Sequence, residues 1–266
     1  MNVSLQVISD SPPTSPTIHG DTLIDSHGRQ IKDLRLSVTD RCNFRCVYCM
    51  EPDVKYLPKM SLLTLDEYVR LVEIAMSLGI EKLRITGGEP TLYPHLDSLI
   101  ETVGSMGLKD IALTTNGSRL TMEMCKRWKA YGLHRITVSL DTLKPERKDA
   151  ITRSFTPLDT VIRAIDMARD AGLTPVKVNA VIMRGVNDDE LCDFADFAQA
   201  AFCKNPRRAS SLAPSRKRVR IDHSSSLNKH GRTVPSAMIR IRSHPPQNER
   251  VTDAMMPSLP RPPSKR

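Results

Sequence analysis

Leu34-Arg35-Leu36-Ser37-Val38-Thr39-Asp40-Arg41-Cys42-Asn43-Phe44-Arg45-Cys46-Val47-Tyr48-Cys49 governs how the rest of the chain is read. Its first half alternates with the period of two that marks a β-strand. Leu34, Leu36 and Val38 fall on one face, and Arg35, Ser37 and Thr39 on the other. Its second half is a loop that crowds three of the chain's six cysteines into eight residues. The other three, Cys125, Cys192 and Cys203, are scattered, so the set is not a disulfide framework.

Downstream of this strand a unit recurs: a short β-branched run, a loop, an amphipathic stretch, then a glycine followed by an apolar residue. The glycines are Gly79, Gly107, Gly132 and Gly172, each placed to end a helix in the left-handed conformation. Helix starts agree. Thr64 with Glu67 and Asn187 with Glu190 resemble capping boxes, and Pro94 and Pro157 suit a first helical turn. Strands are expected near 34–39, 82–86, 110–115, 135–140 and 175–182, each followed by a helix.

This alternation means parallel βαβ units, either in an open doubly wound sheet or in a barrel. Parity separates the two. Leu83 and Ile85 oppose Arg84 and Thr86; Ile136 and Val138 oppose Thr137 and Ser139; Val176 and Val178 oppose Lys177 and Asn179. One face suits covering helices. The other is too polar for a packed barrel centre, which Val, Ile and Leu normally fill. The reading is an α/β fold, a partly open barrel around a wet, cationic cavity.

Three thiolates in one loop can bind three irons of a cubane, and the absent fourth leaves one iron for an amine and carboxylate, which S-adenosylmethionine carries. A zinc knuckle, needing a fourth ligand nearby, and a chance cluster of buried cysteines are the alternatives. At the end of the second strand stands Thr86-Gly87-Gly88-Glu89-Pro90, where two glycines would open backbone N–H and C=O groups to a ligand. Glu89 could bind that ligand's amine or brace its own loop.

With both motifs in place, the chain resembles the radical SAM superfamily and, within it, the GTP 3′,8-cyclases of molybdenum-cofactor biosynthesis. The resemblance rests on the strand and cysteine loop above, Tyr48-Cys49-Met50, Leu83-Arg84-Ile85-Thr86-Gly87-Gly88-Glu89-Pro90, Leu113-Thr114-Thr115-Asn116-Gly117, Val138-Ser139-Leu140-Asp141 and Lys177-Val178-Asn179. It implies an incomplete (β/α)6-type partial barrel with about five βα units. It also implies a 4Fe-4S cluster on Cys42, Cys46 and Cys49, S-adenosylmethionine at Tyr48, Gly88 and Ser139, and GTP at Arg35, Arg84, Thr115 and Lys177. The implied lyase reaction cleaves S-adenosylmethionine reductively to a 5′-deoxyadenosyl radical. That radical takes hydrogen from C3′ of GTP, giving (8S)-3′,8-cyclo-7,8-dihydroguanosine 5′-triphosphate.

Strand parity independently puts Arg35, Arg84 and Lys177 on the polar face, where a polyphosphate would neutralise them, although pairing with inward carboxylates such as Asp141 would do so too. Simple alternation from Ile111 and Leu113 instead turns Thr115 toward the helices. Cys125, Cys192 and Trp128 read as helix packing.

The resemblance stops near residue 200. The family's second three-cysteine motif has no counterpart, since Cys203 is the tail's only cysteine, and Ser264-Lys265-Arg266 stands where the family has a double glycine. The net charge of +9 is also a tail property. Residues 201–266 hold 15 Lys and Arg against 3 Asp and Glu, with nine of the 19 prolines, leaving 24 basic and 27 acidic residues before them. Residues 1–30 read as a flexible segment, 31–200 as the core, and 201–266 as a basic, Pro- and Ser-rich disordered tail.

The basic run 215–220 is the only pointer to nucleic acid, and binding there is not expected. Two functions follow from the resemblance: an enzyme of the cyclase lineage, using GTP, an electron donor and a protein that completes the C-terminal part of the site, or a catalytically inactive truncated product that holds the cluster. No run of about 18 apolar residues exists, so no membrane partner is expected. The start of the chain lacks a signal core, which places the protein in the cytoplasm, with the mitochondrial matrix as alternative.

Overall fold

The computed structural model describes residues 17–19, 22–202, 220–227 and 233–242. A short antiparallel pair, β1 (Thr17–His19) and β2 (Thr22–Ile24), precedes five parallel strands: β3 (Asp33–Ser37), β4 (Lys82–Thr86), β5 (Asp110–Thr115), β6 (Arg135–Ser139) and β7 (Lys177–Met183). They lie side by side in sequence order. The crossovers carry α1 (Leu65–Ser77), α2 (Leu96–Gly104), α3 (Met122–Ala130), α4 (Pro145–Thr152) and α5 (Leu158–Asp170), and α6 (Leu191–Phe202) follows β7. This is an α/β partial barrel with five βα units.

The alternation read from sequence is what positions the sheet. Leu83 and Ile85 of β4, Ile111 and Leu113 of β5, Ile136 and Val138 of β6 and Val178 of β7 are buried against the helices. There they pack with Leu99 and Val103 of α2, Trp128 of α3, Ala164 and Ile165 of α5 and Phe194 of α6. Each large aliphatic side chain so covered contributes ~1.5–3 kcal/mol relative to exposure. The polar residues of the same strands line up across the opposite face: Arg35 pairs in register with Arg84, and Thr137 with Lys177.

Gly79, Gly107, Gly132 and Gly172 all take positive φ where the helices end, as expected of helix-terminating glycines. The Thr64–Glu67 capping box is present in both directions, with the Thr64 N–H donating to Glu67 at 2.7 Å and the Glu67 N–H to Thr64 Oγ1 at 3.3 Å. The second expected capping box is corrected. Asn187 makes no side-chain cap; its Nδ2 donates to the Asp141 carbonyl at 2.6 Å and to the Val181 carbonyl at 2.9 Å. Glu190 points inward, accepting from the Thr142 hydroxyl at 2.7 Å and the Leu143 N–H at 2.6 Å. Three-residue spacing alone cannot distinguish a local cap from two buried groups tying distant loops.

Three further features concern the ends and one cysteine. Before residue 31, β1 and β2 form a hairpin, and the Leu23 N–H donates to the Leu78 carbonyl at the end of α1 (3.2 Å), so part of that segment is ordered against the core. In the tail, β8 (Arg220–Leu227) and β9 (Thr233–Arg242) are strands, and β9 pairs antiparallel with β7 from Lys177↔Arg242 to Met183↔Ser236. The edge of β7 is therefore paired. Cys203 and residues 215–219 lie outside the described residues. Cys192, read as buried, is exposed on α6, whereas Cys125 is fully buried.

Candidate functional site

The C-terminal edges of β3, β4, β5 and β6 open onto one cavity of about 270 Å³. Two loops meet there by backbone pairing. The Gly88 N–H donates to the Thr39 carbonyl at 2.6 Å, and the Glu89 N–H to the Arg41 carbonyl at 2.8 Å. A Cβ at Gly87 would lie 2.6 Å from the Thr39 oxygen, and one at Gly88 would strike the Arg41 carbonyl. These glycines thus exist for close approach of the cysteine loop, and the Gly88 N–H is spent on that contact instead of being open to a ligand as expected.

The cysteine loop is held from both sides. Its Arg45 and Val47 N–H groups donate to the Thr152 and Ile151 carbonyls at the end of α4 (2.8 and 3.0 Å). Tyr56 donates its hydroxyl to the Cys42 carbonyl at 3.0 Å, with the Arg41 and Arg45 guanidinium groups 5.4 and 5.3 Å from its ring centre. Arg45 adds a 2.6 Å bond to the same carbonyl. This extra helix α4 is absent from the simple strand–helix alternation. Its Lys148, only 3% exposed, donates to the Ser154 carbonyl at 2.8 Å and lies 5.1 Å from the Phe44 ring centre.

All three cysteines face the cavity as free thiols. Burial pushes the Cys42 and Cys49 thiols above the usual range and the Cys46 thiol up to about 12, with the Asp141 carboxylate adding to the effect at Cys46 and Cys49. Metal binding here would therefore release protons.

Glu89 is a brace. At 1% exposure its carboxylate accepts from the Thr91 N–H (3.1 Å), the Thr91 hydroxyl (2.7 Å), the Thr115 hydroxyl (2.7 Å) and the Asn116 N–H (2.7 Å). Asp141 is a second buried carboxylate, accepting from the Tyr48 hydroxyl at 2.7 Å and the Val181 N–H at 2.9 Å. Burial raises its pKa, and burial followed by the Asp141 charge raises that of Tyr48.

Of the residues singled out in the sequence, Arg35, Cys42, Cys46, Tyr48, Cys49, Arg84, Gly88, Thr115 and Ser139 line this cavity. Lys177 does not line it. It is buried beside Thr137 at the start of β7, two residues before Asn179, which does. Thr115 pairs in register with Val138, as alternation requires, yet its hydroxyl reaches Glu89 at the strand end. Trp128 is core, donating Nε1 to Asp97. Lys148 emerges only in three dimensions, as do the roles of Asn116, Asn187 and Glu190 in tying loops together. Asn116 sits in a quoted phrase but gave no periodic signal.

Residues 36–198 match the family described as the Radical SAM superfamily. The chain belongs to the radical SAM superfamily. This radical SAM chain is 46% identical over 177 residues to GTP 3′,8-cyclase of Marinobacter nauticus, covering 66% of itself and 53% of that protein. Against GTP 3′,8-cyclase of Streptomyces coelicolor it is 50% identical over 179 residues, covering 66% and 52%. Against the mitochondrial GTP 3′,8-cyclase of Arabidopsis thaliana it is 45% identical over 181 residues, covering 67% and 46%. It thus spans about half the length of these relatives. The crystal structure of Streptococcus suis SuiB bound to S-adenosylmethionine shares the fold, with a TM-score of 0.54 at 20% identity over 64% of this chain and 38% of SuiB.

Superfamily membership brings a 4Fe-4S cluster and S-adenosylmethionine as cofactors, and the donor set fits them. Three thiols from one loop share one cavity wall, with no fourth cysteine among the described residues lining it. That arrangement suits one thiolate per iron better than a zinc knuckle. No helix among the described residues is long and apolar enough to cross a membrane.

Proposed function

We propose that the chain is a radical SAM enzyme of the GTP 3′,8-cyclase lineage, acting on GTP at the C-terminal edge of its sheet. The observation that carries this reading is the single cavity shared by the three cysteines, the glycine loop and the adjacent guanidinium side chains of Arg35 and Arg84. Identity of 45–50% to curated cyclases supports the substrate class.

Cys42, Cys46 and Cys49 would hold the cluster, with S-adenosylmethionine beside it. When bound, these groups supply a one-electron cleavage that generates a carbon radical. The backbone around Tyr48 and Gly88 and the Ser139 hydroxyl form the wall for S-adenosylmethionine. Arg35 and Arg84 bind the polyphosphate, with the hydroxyls of Thr86 and Thr114 on the same wall and Lys177 adding charge from one step deeper. Thr115 acts through Glu89, to which its hydroxyl proton is committed. Glu89 and Asp141 keep the loops in register, so orientation of the reactants is set before they bind. The cycle also needs an electron donor.

The test is anaerobic reconstitution with iron and sulfide, then reductant, S-adenosylmethionine and GTP, with cyclised nucleotide measured by mass spectrometry. Cyclised nucleotide is the expected product. Its absence from protein that holds its cluster and cleaves S-adenosylmethionine would overturn the assignment of GTP as this chain's substrate.

A further inference from the structure

Cys42 differs from the other two cysteines in what surrounds its sulfur. The Phe44 N–H donates to Cys42 Sγ at 3.4 Å, and Asn116 Nδ2 approaches it at 3.9 Å. The orientation of the Asn116 amide follows from its partners. Its Oδ1 accepts from the Ser118 N–H at 2.9 Å, which fixes the oxygen on that side and turns Nδ2 toward the cysteine loop. There its two hydrogens are divided between Asn43 Oδ1, at 2.9 Å, and Cys42 Sγ.

Asn116 is 8% exposed, and little freedom remains to it. Its backbone N–H is held by Glu89 at 2.7 Å, and Asn43 Nδ2 closes the ring with a 2.8 Å bond to the Ser118 hydroxyl. One residue therefore joins the glycine loop through its backbone N–H, and the loop after β5 and a single cysteine of the three through its side chain.

We propose that Asn116 is a positioning residue that sets the reduction potential of the cluster through its amide N–H to the Cys42 thiolate. This rests on the reading of Cys42, Cys46 and Cys49 as cluster ligands. An N–H directed at a ligating sulfur stabilises the extra negative charge of the reduced state, so hydrogen bonds to thiolates raise cluster potentials. The couple concerned is the one-electron reduction of the oxidised cluster by an external reductant such as dithionite. Because Glu89 holds the Asn116 backbone, displacement of the glycine loop is transmitted to the sulfur of Cys42.

The experiment is a redox titration of the reconstituted full-length chain, followed by electron paramagnetic resonance without S-adenosylmethionine or GTP. Asn116→Leu keeps the size and removes both donors without adding charge, and its midpoint should fall below that of the unaltered chain at equal iron content. Asn43→Ala loosens the same loop contact while leaving the N–H to Cys42, and its midpoint should not fall. Equal midpoints in Asn116→Leu and the unaltered chain would overturn the proposal, and so would an equal drop in both variants, which would mean loop positioning alone.

Selective 15N labelling of the asparagine side-chain amide, read in Asn43→Ala so that the label adjoining Cys42 is gone, gives a second test of the contact. A 15N hyperfine coupling in the reduced cluster supports the contact, and its absence overturns it. Failure of the unaltered chain to take up about four irons would instead overturn the cluster reading itself, and this proposal with it.

Discussion

Replacing Glu89 by glutamine should destabilise the chain before any cofactor is added. Glu89 Oε1 accepts three hydrogen bonds, from the Thr91 N–H, the Thr91 hydroxyl and the Thr115 hydroxyl, and Oε2 accepts one from the Asn116 N–H. An amide can keep only one of these oxygens. Retaining Oε1 saves three bonds but sets an NH2 group against the Asn116 N–H, leaving two buried donors facing each other. Hydrogen bonds to charged groups contribute ~1.5–3 kcal/mol, and a buried unsatisfied donor costs ~1–3 kcal/mol. Allowing for partial relaxation, the loss should be about 2–4 kcal/mol, a large share of the ~5–15 kcal/mol typical of a domain. Urea unfolding of the metal-free chain reads it as a lower midpoint at unchanged slope. If the carboxylate served only to bind a ligand, the metal-free protein would not notice its loss. A change below about 0.5 kcal/mol, the range of ordinary surface substitutions, would refute the brace.

Alanine at Cys42, Cys46 or Cys49 should abolish iron uptake on reconstitution, while Cys125→Ala should retain about four irons, both read by iron and sulfide analysis. Gly88→Ala drives a Cβ into the Arg41 carbonyl and should cost about 1–3 kcal/mol in the same urea assay. Thr64→Ala removes the side-chain half of the capping box at α1, leaving the backbone N–H of residue 64 on Glu67, and should cost about 1 kcal/mol. Arg84→Ala should weaken GTP binding about 10- to 100-fold by calorimetry, the equivalent of one charge-assisted contact.

The fold was legible because each strand has one job per face. Leu83, Ile85, Ile136 and Val138 had to be covered, and Arg84, Thr86, Thr137 and Ser139 had to face something wet, so parity alone gave the sheet, its helices and its polar cavity. The cysteines and glycines were legible because their spacing is local. The supporting residues were not. Asn116 reaches Asn43 across 73 positions and Glu190 reaches Thr142 across 48, and no periodicity marks a partner so far away. Gly87 and Gly88 line the cavity, but a sequence does not show that Thr39 and Arg41 also lie against them, with the Thr39 carbonyl taking up the Gly88 N–H. Lys177 was placed on the correct face, but parity does not give depth along a strand.

The central claim is that Cys42, Cys46 and Cys49 together activate S-adenosylmethionine. It is tested most directly by measuring 5′-deoxyadenosine formed from S-adenosylmethionine and dithionite under anaerobic conditions. The reconstituted chain is compared with its Cys42→Ala, Cys46→Ala, Cys49→Ala triple variant. The account predicts 5′-deoxyadenosine from the unaltered chain and none above background from the variant. Equal yields from both, or no product from a chain carrying a complete cluster, would contradict it.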